Sequence, residues 1–178
     1  MSKLSVAVDA EDHLQGNTEA GCIFVEYGDY QCPHCGQAYP VVKDLQREFG
    51  GNLLFAFRNF PMSQIHPWAE DAAETAEFAA SQGRFWEMHD LLFENQKSFG
   101  TALFGQLAER LGLSAVELQI AADQGTYRSR IRADFTGGIR SGVNGTPTFF
   151  INGYRHNGPL HFTSLRGAIA RTLEPHGT

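Results

Sequence analysis

Two cysteines separated by two residues, Cys32-Pro33-His34-Cys35, constrain this chain more than any other feature of its sequence. An apolar run typical of a β-strand leads into Cys32, and a helical pattern follows Cys35. A helix N-terminus carries unpaired N–H groups and partial positive charge, so it stabilises a thiolate. Pro33 suits the first helical position, where its missing N–H costs no hydrogen bond. The stretch therefore predicts a reactive thiol pair at the start of a helix.

The two cysteines are expected to differ in role. Thiol–disulfide exchange requires a thiolate, and a free cysteine with a pKa of about 8.5 is mostly protonated at neutral pH. We expect Cys32, at the helix cap, to be exposed and to act as the nucleophile. We expect Cys35, one turn further along, to be more buried and to resolve the mixed disulfide. A protonated His34 would stabilise the thiolate further, and the alternative is an exposed histidine without a role.

Length and charge limit the functions that this chain can have. Its 178 residues fit one domain with a substantial core, with room for an inserted subdomain. A net charge of -6 argues against nucleic-acid or anionic-membrane partners, which require basic patches. No apolar run approaches the roughly 20 residues that span a bilayer. Residues 1–9 do not resemble a secretory signal, so we expect a cytoplasmic monomer, or a periplasmic one if a leader has been removed.

Three cysteines cannot form a disulfide framework, and in a reducing compartment a close pair is more often catalytic or metal-binding than structural. A zinc site at Cys32 and Cys35 would need two further ligands. The candidates are Cys22 and scattered histidines without metal-ligand spacing. We therefore favour redox chemistry, and we expect Cys22 to be a small buried apolar residue.

The pattern of apolar residues predicts an α/β fold. Strands are expected at residues 22–28 and 53–57, with a helix between them at 33–49, which makes a parallel β-α-β unit. A further short strand is possible at residues 6–8. Helical patterns alone fill residues 67–139, and Ser114 with Glu117 predicts a capping box. Strands return at 148–151 and 154–156 around an Asn152-Gly153 turn, followed by a helix at 162–173.

This order is similar to a thioredoxin fold interrupted by a helical insertion. The run Glu26-Tyr-Gly-Asp-Tyr-Gln-Cys32-Pro-His-Cys35 resembles the DsbA-like family of thiol-disulfide oxidoreductases. Two more stretches strengthen the resemblance, residues 83–89 in the insertion and residues 145–149 ahead of the third main strand. The resemblance spans residues 12–173. It implies a thioredoxin-like domain of residues 1–60 and 143–178, with an inserted helical subdomain of residues 61–142.

The resemblance also implies roles for three residues outside the cysteine motif. Glu26 matches a buried acid that relays protons to and from the resolving thiol, and the alternatives are a structural ion pair or an exposed strand end. Thr146-Pro147 matches a cis-proline loop that packs against the disulfide, where the Thr146 backbone could pair with an extended substrate segment. The alternative there is an ordinary turn ahead of a strand.

The function implied is exchange of the Cys32–Cys35 disulfide with cysteines of protein substrates, without a metal or organic cofactor. A redox partner or glutathione would restore the starting state. Pro-His between the cysteines resembles the oxidising or isomerising members, whereas a cytoplasmic address favours a disulfide reductase. Two other classes stay open: a non-enzymatic zinc-binding module and a glutathione-dependent transferase. The transferases usually keep a serine or a single cysteine, so the intact pair counts against them.

Overall fold

The computed structural model describes residues 2–174, which form a five-stranded sheet flanked by helices. The strand order is β1-β3-β2-β4-β5. The strands are β1 (His13–Gly16), β2 (Cys22–Gly28), β3 (Leu53–Asn59), β4 (Thr148–Ile151) and β5 (Tyr154–Arg155). The α-helices are α1 (Pro33–Phe49), α2 (Ala69–Ser81), α3 (Phe85–Glu94), α4 (Thr101–Arg110), α5 (Ala115–Gln124), α6 (Arg128–Arg140) and α7 (Phe162–Leu173).

Strand β2 lies at the centre of the sheet. It pairs in parallel with β3 on one side and antiparallel with β4 on the other. Strand β1 adds antiparallel to the outer side of β3, and β5 adds antiparallel to β4. Helix α1 connects the parallel strands β2 and β3, as the β-α-β prediction requires. The C-terminal end of β2 therefore lies at the start of α1, where the cysteine pair begins.

The two faces of β2 pack against different groups of helices. Because side chains alternate along a strand, Cys22, Phe24 and Glu26 share one face and Val25 and Tyr27 share the other. The first face belongs to the larger apolar cluster, which includes residues of α1, α7 and the helices α2 to α5. The second face belongs to a smaller cluster that α6 and the N-terminal segment help to cover. Glu26 therefore points toward the α1 side of the sheet.

The sequence predicted most element bounds correctly. The bounds of β2, α1, β4 and α7 agree with the expected ranges, and β3 extends two residues beyond its predicted end. Within the described residues no strand lies between β3 and β4, as expected. The Ser114 hydroxyl accepts a hydrogen bond from the Glu117 N–H at 3.2 Å, which confirms the predicted N-cap of α5. Among residues 2–174, no helix is long and apolar enough to cross a membrane.

The prediction of a strand at residues 6–8 is wrong. The N-terminal strand lies instead at His13–Gly16, where it pairs with β3. Val8 packs against the smaller apolar cluster without joining the sheet. The sequence His-Leu-Gln-Gly has a single apolar residue, so it shows no alternation from which a strand could be recognised. The hairpin strand β5 is also one residue shorter than predicted.

Candidate active site

The cysteine pair lies where β2 gives way to α1. Cys32 is the N-cap residue of α1, with extended backbone angles, and Pro33 occupies the first helical position. The Cys32 N–H donates to the Asp29 carbonyl at 3.1 Å, and the Gly36 N–H donates to the Cys32 carbonyl at 3.1 Å. Both cysteines of the pair are free thiols. The loop thus holds Cys32 at the positive end of the helix, as the sequence predicted.

The expectation that Cys32 is exposed is wrong. Only 4% of its surface is accessible, because the loop ahead of β4 lies against it. When protonated, the Cys32 thiol donates to the Thr146 carbonyl at 3.4 Å. Cys35 is fully buried, so the predicted order of accessibility between the two thiols still holds. Cys22 is also fully buried, at the opposite end of β2, as expected.

Hydrogen bonds at the helix start favour the Cys32 thiolate. The Cys35 thiol contributes most, and the backbone N–H groups of Cys35 and His34 contribute further, so that the pKa of Cys32 falls from the ordinary 9.0 to about 5 despite burial. His34 lies in an exposed position and acts here through its backbone. At neutral pH Cys32 is therefore predominantly ionised.

Burial has the opposite effect on Cys35. Removal from water raises the pKa of the Cys35 thiol well above its ordinary range, and the nearby Cys32 and Glu26 raise it further. The Asp29 N–H lies 3.4 Å from the Cys35 sulfur and counteracts part of this effect. The hydrogen bond between the two thiols and the burial of Cys35 together divide the pair into a thiolate and a protonated partner.

Glu26 lies buried in the middle of the sheet. It is paired in register between Phe57 and Phe149 and is 2% exposed. Burial, and then the nearby Cys32, raise the pKa of Glu26 to about 8. Within the described residues its Oε1 has no hydrogen-bond partner, and no ion pair involves it. The geometry thus supplies a buried, protonated carboxyl group on the same side of the sheet as the thiol pair.

The Thr146–Pro147 peptide bond is cis, and Thr146 lies next to Cys32. The Thr146 hydroxyl in turn points to the Met62 sulfur at 3.7 Å. Met62 belongs to the loop between β3 and α2. The loops after β3 and before β4 therefore meet beside the reactive sulfur.

Sequence reasoning did not assign the roles of three residues that hold the cysteine loop in place. The Gln96 side-chain amide donates to the Tyr30 and Cys32 carbonyls, each at 2.8 Å. The Asp29 carboxylate binds the side chain of His66. These partners are 37 or more positions apart along the chain, and no local periodicity or spacing could have paired them.

Among residues 2–174, the histidines and acids do not complete a metal site around the thiols. In the part of the chain that the structure describes, no group of three or more histidine, cysteine, aspartate or glutamate side chains could hold a metal ion. A tetrahedral zinc site needs four such ligands. The donor set that the zinc alternative requires is therefore not assembled within residues 2–174.

The lowered pKa of Cys32 predicts its reactivity with pH. Because only the thiolate is nucleophilic, the rate of alkylation of Cys32 by iodoacetamide should rise through a midpoint near pH 5. Stopped-flow alkylation of the reduced protein, with mass spectrometry to assign the modified cysteine, measures this rate. The Cys32→Ser protein is the control and should lose the fast phase. A midpoint at pH 8 or above would contradict the site geometry.

The raised pKa of Glu26 predicts a pH-dependent stability. A carboxyl group whose folded pKa lies above its unfolded value contributes stability that is complete below about pH 4.5 and is lost as the pH rises to about 8. Glu26→Gln stays neutral and avoids this loss. The free energy of unfolding of the variant should therefore rise relative to that of the wild type as the pH increases, by up to about 1.4 kcal/mol per pH unit.

Urea unfolding of both reduced proteins between pH 5 and 7.5 tests this prediction. Cys32 has a lowered pKa, so it contributes a free energy of unfolding that rises with pH. Because both proteins contain Cys32, this contribution cancels in the difference between their free energies of unfolding. A difference that is constant across this range would mean that Glu26 is ionised in the folded protein.

Comparison with known proteins identifies the family of this chain. A family model described as "Thioredoxin" matches residues 9–171. Similar curated proteins are "Na(+)/H(+) antiporter NhaA 1" of Salinispora arenicola, 43% identical over 167 residues, and "Na(+)/H(+) antiporter NhaA 3" of Salinispora tropica, 42% identical over 180 residues. These matches cover 93% and 98% of this chain but 26% and 28% of the relatives. The chain thus spans about a quarter of the length of the curated relatives it matches.

Solved structures share the architecture of the whole chain. Oxidised BdbD from Bacillus subtilis has a TM-score of 0.86 at 23% identity, covering 97% of this chain and 99% of its own. α-DsbA1 from Wolbachia pipientis has a TM-score of 0.81 at 20% identity, covering 94% and 93%. At these identities the likeness shows the fold, which is thioredoxin-like with a helical insertion. Together with the family match, it shows that this chain belongs to the thioredoxin family and is DsbA-like in fold.

Proposed function

We propose that this chain is a thiol-disulfide oxidoreductase that exchanges a Cys32–Cys35 disulfide with cysteines of protein substrates. The observation that carries the proposal is the contrast between the two thiols. Cys32 has its pKa lowered to about 5 and Cys35 is buried with a raised pKa. A low-pKa thiolate is a good leaving group, and a buried second thiol acts only within the site. Structural cysteines have no need of such a contrast.

In the first step a substrate thiolate attacks the Cys32 sulfur of the oxidised protein. The Cys32–Cys35 bond breaks, a mixed disulfide forms, and the Cys35 sulfur takes the electron pair. Attack falls on Cys32 because Cys35 is fully buried. Glu26, protonated at neutral pH, supplies the proton that neutralises the Cys35 thiolate.

In the second step another substrate thiolate attacks the substrate sulfur of the mixed disulfide. The substrate gains a disulfide and loses two electrons, and Cys32 leaves as a thiolate. Because hydrogen bonds stabilise the Cys32 thiolate, release of the oxidised substrate is favourable. In the reverse direction Glu26 accepts the Cys35 proton, and Cys35 then attacks Cys32 to release a reduced substrate. The chain needs no metal or organic cofactor for either direction.

Substrate would bind along the loop before β4. An extended peptide segment can pair with the Thr146 backbone next to the Cys32 sulfur. Pro147 shapes this loop and has no N–H to compete for the pairing. His34 lies on the exposed rim and adds a positive charge when protonated. We propose that the chain acts as a monomer on cysteine-containing proteins, with glutathione or a redox protein restoring its starting state.

The strong stabilisation of the Cys32 thiolate supports disulfide donation as the direction. It favours the reduced protein, and the disulfide is then a strong oxidant. The expected cytoplasmic location favours a reductase instead. The name of the antiporter relatives describes those longer proteins, and our proposal concerns the thioredoxin-like segment that they share with this chain.

Trapping of substrates tests the roles of the two cysteines. Cys35→Ser removes the resolving thiol, so mixed disulfides with cysteine-containing peptides should accumulate on Cys32. Cys32→Ser should form at least tenfold fewer, because its remaining thiol is buried. Mass spectrometry under non-reducing conditions detects the adducts. Cys22→Ser is the matched control and should exchange like the wild type. Adducts on Cys35 alone would reverse the assigned roles.

An equilibrium titration of the thiol pair against glutathione tests the direction. A disulfide donor should show a reduction potential near −120 mV, and a reductase one of about −270 mV. We expect a value nearer the first, because the Cys32 thiolate is strongly stabilised. One tightly bound zinc ion per chain, with thiols that do not exchange, would support the zinc-binding alternative and exclude the redox function.

A further inference from the structure

A buried acid lies three positions before Cys32, inside the run that resembles the DsbA-like family, and the sequence assigned it no individual role. Asp29 is 1% exposed, and a buried carboxylate is costly unless it is paired and hydrogen-bonded. Its Oδ1 accepts from the Gln31 N–H at 2.8 Å, and its Oδ2 accepts from the Met62 N–H at 2.9 Å. The third partner is the His66 Nδ1, 2.7 Å from Oδ2. Among the described residues, His66 is the one side chain that forms an ion pair with Asp29.

The backbone of Asp29 contacts both cysteines of the pair. Its carbonyl accepts from the Cys32 N–H at 3.1 Å, and its N–H lies 3.4 Å from the Cys35 sulfur. That N–H favours the ionised form of Cys35. Any movement of Asp29 therefore changes hydrogen bonds at the cap of α1 and at the resolving thiol together.

His66 fixes Asp29 from the other side of the site. It lies in the loop between β3 and α2, where its backbone N–H donates to the Met62 carbonyl at 2.9 Å. Met62 in turn contacts Thr146, and Thr146 contacts Cys32. These contacts make a closed ring around the thiol pair. Two contacts to the Asp29 Oδ2 close it, one from the Met62 N–H and one from the His66 side chain.

The charges of this ion pair act on the thiols in opposite senses. A carboxylate accepts hydrogen bonds only, so the proton of the short contact resides on the His66 Nδ1. The negative charge of Asp29 disfavours a neighbouring thiolate, and His66 offsets that charge when its ring is protonated. Because the Asp29 side chain has no solvent exposure, water screens this interaction weakly.

We propose that His66 is a positioning residue of the thiol pair, which acts through Asp29 to stabilise the reduced form and so makes the disulfide more oxidising. The inference rests on the proposed exchange function. His66 contributes in two ways that have the same sign. It holds the Asp29 backbone against Cys32 and Cys35, and when protonated it offsets the charge of the Asp29 carboxylate.

The equilibrium constant with glutathione measures this effect directly. His66→Gln keeps a hydrogen-bond donor but cannot be protonated, so it should shift the equilibrium about tenfold toward the disulfide, or about 30 mV. Asp29→Asn removes the carboxylate and should shift it in the opposite direction. In the Asp29→Asn background, His66→Gln should change the constant by less than about threefold, because the charge that it offset is gone. His66→Lys restores a cation and should lie closer to the wild type than His66→Gln.

The matched control is His13→Gln. His13 lies 2.8 Å from Glu77 in a similarly buried ion pair, and neither residue forms a hydrogen bond with a cysteine within residues 2–174. This variant should lose stability in thermal unfolding, yet keep the equilibrium constant within about twofold of the wild type. It separates general loosening of the fold from an effect on the thiol pair.

The inference is overturned if His66→Gln leaves the constant unchanged, or if His66→Gln and Asp29→Asn shift it in the same direction. Thermal unfolding of each variant shows whether it is folded, and Asp29→Asn keeps the test decisive if His66→Gln is not. Suppose that the wild-type thiol pair exchanges with glutathione, but His66→Gln and Asp29→Asn do not shift the equilibrium constant in opposite directions. That result rejects this inference and leaves the proposed function standing. A wild type that forms no Cys32–Cys35 disulfide at any glutathione ratio rejects the proposed function, and this inference with it.

Discussion

Burial of β2 on both faces is the constraint on which the rest of the structure depends. A central strand needs neighbours at both edges and apolar cover above and below, which fixes β3, β4 and the helices around them. Its side-chain alternation then decides that Glu26 shares a face with the α1 helix. The end of the same strand delivers Cys32 to the start of that helix. Core packing and site geometry are therefore set by one seven-residue segment.

The thiol pair and the buried acid work as one electrostatic unit. Ionisation of Cys32 raises the pKa of Glu26, and both groups raise the pKa of Cys35. Only one negative charge is readily accommodated among them, and the hydrogen bonds at the helix start place it on Cys32. Burial therefore controls the order of the exchange steps, because it keeps Cys35 and Glu26 protonated until each is needed for proton transfer or attack.

Local patterns predicted the fold well because they reflect burial along single elements. The β2 run, the α1 periodicity and the Asn152-Gly153 turn each carry their own signal. Strand β1 carries none, since its place beside β3 comes from tertiary pairing. The sequence also predicted where Cys32 and Cys35 lie, but it could not show that a loop more than 100 positions away covers Cys32. For the same reason the ion pair of Asp29 with His66 was visible only in the structure.

The close cover over Cys32 has a consequence for oxidative damage. Over-oxidation of a cysteine to sulfinic or sulfonic acid requires both thiolate character and access for the oxidant. Cys32 has the first, and its 4% exposure limits the second to the small part of its surface that substrate thiols must also reach. A sulfenic acid formed there would meet the Cys35 thiol before a second oxidant molecule, and the two would condense to a disulfide. The arrangement that activates the sulfur thus also keeps its oxidation reversible.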